Sequence, residues 1–137
     1  MQRTLAIIKP DAMAKRQQGA ILQRILDEGF EVVALRQTRL SREQAEGFYA
    51  VHREKPFFDA LCAFMSRGPV IVIALSHADA VRRWRDVIGA TNPANAAEGT
   101  IRRQFASSVT ENAVHGSDSE ENGRLECGYF FPDVDLL

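Results

Sequence analysis

Pro69-Val70-Ile71-Val72-Ile73-Ala74-Leu75 decides the fold, because it runs without a charge and, at the two-residue period of a strand, puts apolar side chains on both faces. Such a strand needs cover on two sides. In so small a domain, helices are expected over one side and a partner subunit over the other, a first reason to expect a homo-oligomer. Before this strand, Phe57 to Met65 reads as a short helix with Leu61, Phe64 and Met65 as its core face. After it, Ser76 and Asp79 mark a helix start, and Ala80, Val81, Trp84, Val87 and Ile88 form the buried stripe.

Further upstream, Thr4 to Ile8 reads as a strand stopped by Lys9-Pro10-Asp11, and proline holds Lys9 extended at the strand end. Ile21, Leu22, Ile25 and Leu26 recur at helical spacing until Gly29 supplies a left-handed stop. Phe30 to Leu40 reads as a second strand. Ser41 and Gln44 make a capping box for a helix carrying Ala45, Phe48 and Tyr49, and His52 to Pro56 break it. Downstream, Gly89 to Thr110 has little periodicity and reads as a functional or oligomer-forming loop. Asp118 to Gly123 suits a short helix, and Leu125 to Phe131, ended by Pro132, reads as the last strand. Without repeats, linkers or low-complexity tracts, one α+β domain over residues 1–137 is the economical reading.

Hydrophobic residues make up 45% and charged residues 26% of the 137, which excludes a disordered chain. The net charge of -1 gives no global attraction to nucleic acid or to an anionic membrane, so any anion must be bound by a local cluster. Cys62 and Cys127 lack a CxxC spacing and read as reduced packing residues. The N-terminus shows no secretory pattern and no apolar stretch reaches membrane-spanning length, so a cytoplasmic location is expected.

The chemistry concentrates in Asn112-Ala113-Val114-His115-Gly116-Ser117-Asp118-Ser119. An imidazole titrates near neutral pH and serves as nucleophile, base or metal ligand. No second His or Cys stands at ligand spacing, and a Ser/His/Asp relay does not form between residues this close in sequence. His115 is thus either itself the reacting group or an ordinary loop histidine, with Gly116 allowing close backbone approach and Ser117 capping a following turn. Lys9 is either a solvated flank or a cation for phosphate. Of Phe57 and Phe58 at least one is exposed, covering the core edge or offering a stacking surface for a base. Arg85 is a surface residue by default at the end of its helix, and Glu126 faces solvent or a buried polar partner. His52 and His77 read as structural or solvated. No GxxxxGK[ST] loop occurs, so phosphate would be held by side chains.

Taken together, TLAIIKPDA (4–12), FYAVHREKPFF (48–58), GATNPANAAEGTIRRQF (89–105) and NAVHGSDS (112–119) resemble the nucleoside diphosphate kinase family over nearly the whole chain. The resemblance implies a ferredoxin-like βαββαβ fold, with a four-stranded antiparallel sheet flanked by helices. It implies transfer of the γ-phosphate of a nucleoside triphosphate, usually ATP, to a nucleoside diphosphate such as GDP, through a phosphohistidine in a ping-pong cycle with Mg2+. Carried over by residue, it makes His115 the nucleophile, Lys9 the contact to ribose and transferring phosphate, and Phe57 the stacking ring. Arg85, Thr91 and Arg102 become the phosphate-binding set, and Asn112 holds the ribose. Tyr49, Ser117 and Glu126 become supporting residues, with Glu126 orienting the imidazole. Magnesium would be held mainly by the nucleotide phosphates, and the assembly would be a dimer, tetramer or hexamer. The chain departs from the family pattern at Glu120-Glu121-Asn122-Gly123, which bears on local helix packing, and in the short segment after Phe131. The competing readings are a catalytically silent nucleotide- or nucleic-acid-binding module and a histidine phosphocarrier fed by a protein partner.

Overall fold

The computed structural model describes residues 1–137. Its sheet contains β1 (Gln2–Ile8), β2 (Glu31–Arg39), β3 (Pro69–His77) and β4 (Val114–His115) in the order β2-β3-β1-β4, every neighbouring pair antiparallel. The helices in chain order are α1 (Pro10–Ala14), α2 (Gln18–Asp27), α3 (Arg42–Phe48), α4 (Phe58–Met65), α5 (Ala80–Ile88), α6 (Ile101–Phe105) and α7 (Glu120–Phe130). With α2 and α5 as the crossovers, this is the expected ferredoxin-like βαββαβ architecture in one domain. No helix is long and apolar enough to cross a membrane.

The alternation along β3 builds two cores. Ile71, Ile73 and Leu75 pack with Ala6 and Ile8 of β1 beneath α2 and α5, while Val70, Val72 and Ala74 join Leu5 and Ile7 against α3, α4 and α7. Both faces of β3 are therefore covered by this chain's own helices. This corrects the expectation that a partner subunit covers one face, for the helix pair between β2 and β3 and the last helix supply that layer. Cys62 and Cys127 are free and buried in the second core.

Local signals act largely as read. Ser41 Oγ accepts from Gln44 N at 3.1 Å while Gln44 Oε1 accepts from Ser41 N at 2.9 Å, the reciprocal cap of α3. Gly29 ends α2 at φ 85°. At α5, by contrast, Ser76 belongs to β3 and Asp79 gives no side-chain cap; Gln2 Oε1 from β1 takes the Val81 N–H at 2.9 Å instead.

Two expectations fail in the C-terminal third. Ile101 to Phe105 inside the supposed irregular loop is a helix, capped by the Thr100 hydroxyl. Leu125 to Phe131 is not the last strand: residues 120–130 form one helix, opened by Ser119 Oγ accepting from Asn122 N at 3.1 Å, and the fourth strand is only Val114–His115. Gly123 makes α7 possible in this place, because a Cβ there would stand 2.2 Å from the Arg3 carbonyl oxygen of β1. The unusual Glu120–Gly123 segment is thus the start of a helix laid directly on the sheet.

Candidate active site

Where the strand end of β1, the end of α3, the start of α4, α6, β4 and α7 converge, they leave a cleft of about 620 Å³. Lys9 enters it from β1, held extended (φ -80°, ψ 165°) before Pro10 opens α1. The pairing of β4 with β1 sets Ile7 opposite His115 and Ile8 opposite Val114, so the histidine and the lysine share one end of the sheet.

His115 is fixed on several sides. Its Nε2 lies 2.8 Å from Glu126 Oε1 on α7, and the same oxygen accepts the Ser117 hydroxyl at 2.7 Å. The Phe48 ring packs edge-on against the imidazole, with centroids 5.3 Å apart. Nδ1 has no hydrogen-bond partner within the chain. Burial lowers the His115 pKa below its ordinary value and outweighs Glu126, whose hydrogen bond and charge raise it; Lys9 and Arg102 lower it further. The ring is therefore neutral at pH 7, with the proton on the nitrogen facing Glu126.

The backbone before the histidine is strained. Val114 N–H closes onto Asn112 O at 2.8 Å around Ala113, whose φ is 71°, a three-residue turn that non-glycine residues seldom adopt. It is clamped from both sides: Asp11 Oδ2 accepts the Ala113 N–H at 3.1 Å, and Lys9 N–H donates to Ala113 O at 2.8 Å.

Lys9 Nζ donates to Asn112 Oδ1 at 2.8 Å, and Asn112 Nδ2 donates to Thr91 O at 3.2 Å. Burial first and the neighbouring Arg102 second bring the Lys9 pKa down to about 7, with Asp11 acting in the opposite direction. Arg102 donates to Gly89 O at 3.0 Å and Val114 O at 2.8 Å, while its Nε is buried without a partner. Burial, then the charge of Arg85, lowers its pKa to about 10, so it stays charged at neutral pH. The Tyr49 hydroxyl is also buried without a partner, and burial with the Glu126 charge pushes its pKa up.

The structure thus brings Lys9, Tyr49, Phe57, Thr91, Arg102, Asn112, His115 and Glu126 onto one cleft. Phe57 stands at its mouth, 49% exposed, while Phe58 is buried. Ser117 lies beneath, fully buried; it accepts Leu5 N–H at 3.0 Å and caps no helix, that part falling to Ser119. Arg85 is outside this lining, on an adjoining polar groove with Asp79, Arg82 and Asp118, yet near enough for its charge to act on Arg102. Phe48 and Leu61, read in the sequence as helix-face packing residues, also line the cleft, and Val109 and Tyr129, for which the sequence suggests no role, stand in its walls. His52, read there as structural or solvated, also lines the cleft, its ring 5.5 Å from that of Phe57. Its place after α3 and just before the paired phenylalanines was the available signal. His77 is structural: its Nδ1 accepts the Asp79 N–H at 3.0 Å.

A neutral imidazole with a free nitrogen, sharing a cleft with the charged Arg102 and with Lys9, which phosphate would hold in its charged form, is chemically suited to take an electrophilic phosphorus. Comparison with known proteins agrees. The family described as nucleoside diphosphate kinase matches residues 2–136. A nucleoside diphosphate kinase of Syntrophotalea carbinolica is 56% identical over 137 residues, covering all of both chains. Among solved structures, the Aquifex aeolicus nucleoside diphosphate kinase superposes with a TM-score of 0.97 at 44% identity, covering 99% of each chain. That of Halobacterium salinarum, in complex with CDP, gives 0.94 at 37% identity, covering 99% of this chain and 91% of the other. Fold and cleft define a nucleotide-binding phosphotransferase. The chain belongs to the nucleoside diphosphate kinase family, and its activity is that of a kinase on nucleotides rather than of a silent binding module.

Proposed function

We propose that the chain carries a phosphoryl group between nucleotides on His115 Nδ1, in a ping-pong cycle. The lone pair of Nδ1 attacks the γ-phosphorus of a nucleoside triphosphate such as ATP, an N–P bond forms as the bond to the bridging β-oxygen breaks, and the nucleoside diphosphate leaves with that oxygen. The β-oxygen of a second diphosphate such as GDP then takes the group back, regenerating the neutral imidazole. The observation that carries this reading is the pairing of His115 Nε2 with Glu126, which commits one ring nitrogen and leaves the other for chemistry.

Lys9 and Arg102 stabilise charge on the transferring group, with Arg85 as a third cation approaching from the adjoining groove and Thr91 completing the phosphate contacts, while Tyr49 supports the histidine. Asn112, already bonded to Lys9, places the ribose. The exposed face of Phe57 stacks the base, which discriminates little between bases. Mg2+ enters with the nucleotide: Glu126 is engaged by His115 and Ser117, the other cleft carboxylate is Asp118, and no three potential ligands cluster, so the donor set fits an ion held by phosphate oxygens. When bound it neutralises phosphate charge. Function in the cytoplasm as a homo-oligomer completes the proposal; the exposed Val32 and Leu35 on the edge strand β2 support self-association.

Incubation with γ-labelled ATP and Mg2+ in the absence of acceptor tests it. Acid-labile, base-stable label that discharges to GTP on addition of GDP is expected, and His115→Ala should bind ADP but take no label. Wild-type labelling of His115→Ala would refute the assignment.

A further inference from the structure

Three consecutive carbonyls leading to the imidazole are each held by a donor from a different element. Ala113 O accepts Lys9 N–H at 2.8 Å, Val114 O accepts the Arg102 guanidinium at 2.8 Å, and His115 O accepts the Trp84 indole N–H at 2.9 Å. Lys9 and Arg102 already belong to the cleft. Trp84 does not: it sits on α5, fully buried, with Phe30 edge-on and ring centroids 5.7 Å apart.

We propose that Trp84 is a positioning residue for phosphoryl transfer, its indole N–H fixing the His115 carbonyl and with it the aim of Nδ1. The inference rests on the reading of His115 as the phosphoryl carrier. β4 is two residues long, so the sheet alone gives the histidine little purchase. The imidazole is pinned at Nε2 by Glu126 and at its backbone by Trp84, and two fixed points define the direction of the remaining nitrogen. Remove the second, and the ring pivots about Glu126. The indole also closes directly on the next residue: a Cβ on Gly116 would lie 2.8 Å from Trp84 Cδ1 and 3.1 Å from Ile88 Cδ1, so the chain leaves His115 along a path that the indole sets. In-line attack demands that the nucleophile be placed to a fraction of an ångström, whereas nucleotide binding draws on the lining of the cleft, to which Trp84 does not belong.

Trp84 is the only tryptophan, so replacing tryptophan by an isosteric analogue alters this site alone. Benzothienylalanine keeps the bicyclic shape and has sulfur in place of the N–H; 5-fluorotryptophan keeps the N–H. In single-turnover reactions with labelled ATP, the sulfur analogue should phosphorylate His115 roughly three- to tenfold more slowly, while ADP affinity stays within about twofold of the parent and the fluoro analogue retains the parent rate. Trp84→Phe should follow the sulfur analogue. A parent rate in the sulfur analogue would overturn the proposal, as would loss of ADP affinity in step with rate, which signals a collapsed cleft. Absence of label on His115 in the parent protein would overturn the carrier reading and this inference with it; a labelled parent with an unaffected analogue overturns the role of Trp84 alone.

Discussion

His115 Nε2 and Glu126 Oε1 stand 2.8 Å apart, joining a two-residue strand to the middle of the last helix. The carboxylate only accepts, so it selects the tautomer whose proton is on Nε2 and whose lone pair is on Nδ1.

Glu126→Gln should therefore slow phosphorylation of His115 by about tenfold or more, because an amide presenting its NH2 to the ring favours the opposite tautomer. Rapid-quench measurement of phosphoenzyme formation checks it. Unchanged rates would mean that Glu126 does no more than pack. The Ser117 hydroxyl, bonded to the same oxygen, holds the carboxylate in place, so Ser117→Ala should show a smaller loss in the same direction.

Nucleotide binding should return a proton to Lys9. Its pKa of about 7 in the free cleft, against 10.5 ordinarily, means that between these values the folded protein has lost a proton that the unfolded chain keeps. Stability of the free protein thus rises as pH climbs through that window, and below pH 7 the buried charge is present and its cost is felt in full. Phosphate in the cleft favours the charged form and reverses the shift. Calorimetry in buffers of different ionisation enthalpy at about pH 8.5 should show ADP binding with uptake approaching one proton, and Lys9→Gln should abolish that uptake. Equal uptake by both proteins would assign the proton elsewhere.

How far the sequence revealed this site follows from which residues carry side chains to read. Strands β1 and β3 announce themselves because burial on both faces demands unbroken apolar runs, and α3 because its capping box is local chemistry. The last helix was hidden. Its buried positions are Gly123, Cys127 and Phe130, spaced as a helix requires, but the first is a glycine with no apolar side chain to mark the stripe. Leu125 and Tyr129, 65% and 46% exposed, instead line the cleft, so the apolar residues of this helix fall on two faces and imitate a strand. β4 could not be seen at all, since two residues have no period. The resemblance named Lys9, Tyr49, Phe57, Thr91, Arg102, Asn112, His115 and Glu126, all of which line the cleft, but not Phe48 or His52 beside them; nor did it indicate the second employment of Arg102 as a backbone clamp or the bond from Trp84, because neither depends on a motif.

That double employment makes Arg102→Lys informative. An ammonium cannot span Gly89 O and Val114 O as the guanidinium fork does, so at least one buried carbonyl loses its donor. The variant should lose about 1–3 kcal/mol of stability in denaturant titrations and also transfer phosphate more slowly, although the positive charge is retained. A variant as stable as the parent would show that the clamp is dispensable.

Gly116→Ala probes the path out of the histidine. The new Cβ would fall 2.8 Å from Trp84 Cδ1 and 3.2 Å from Trp84 Nε1, and the indole is fully buried, with Phe30 packed edge-on against it. Either the ring shifts and releases the His115 carbonyl, or β4 moves away from α5; both displace Nδ1. A loss of about 1–3 kcal/mol in stability is expected, with slower labelling of His115 and little change in ADP affinity. The two residues should also be coupled. In a Trp84→Phe background, where the pyrrole edge is gone, the same substitution should cost less than it does in the parent, since the clash it creates has been partly removed. Strictly additive costs from a full double-mutant cycle would show that Gly116 is needed for some reason other than the indole.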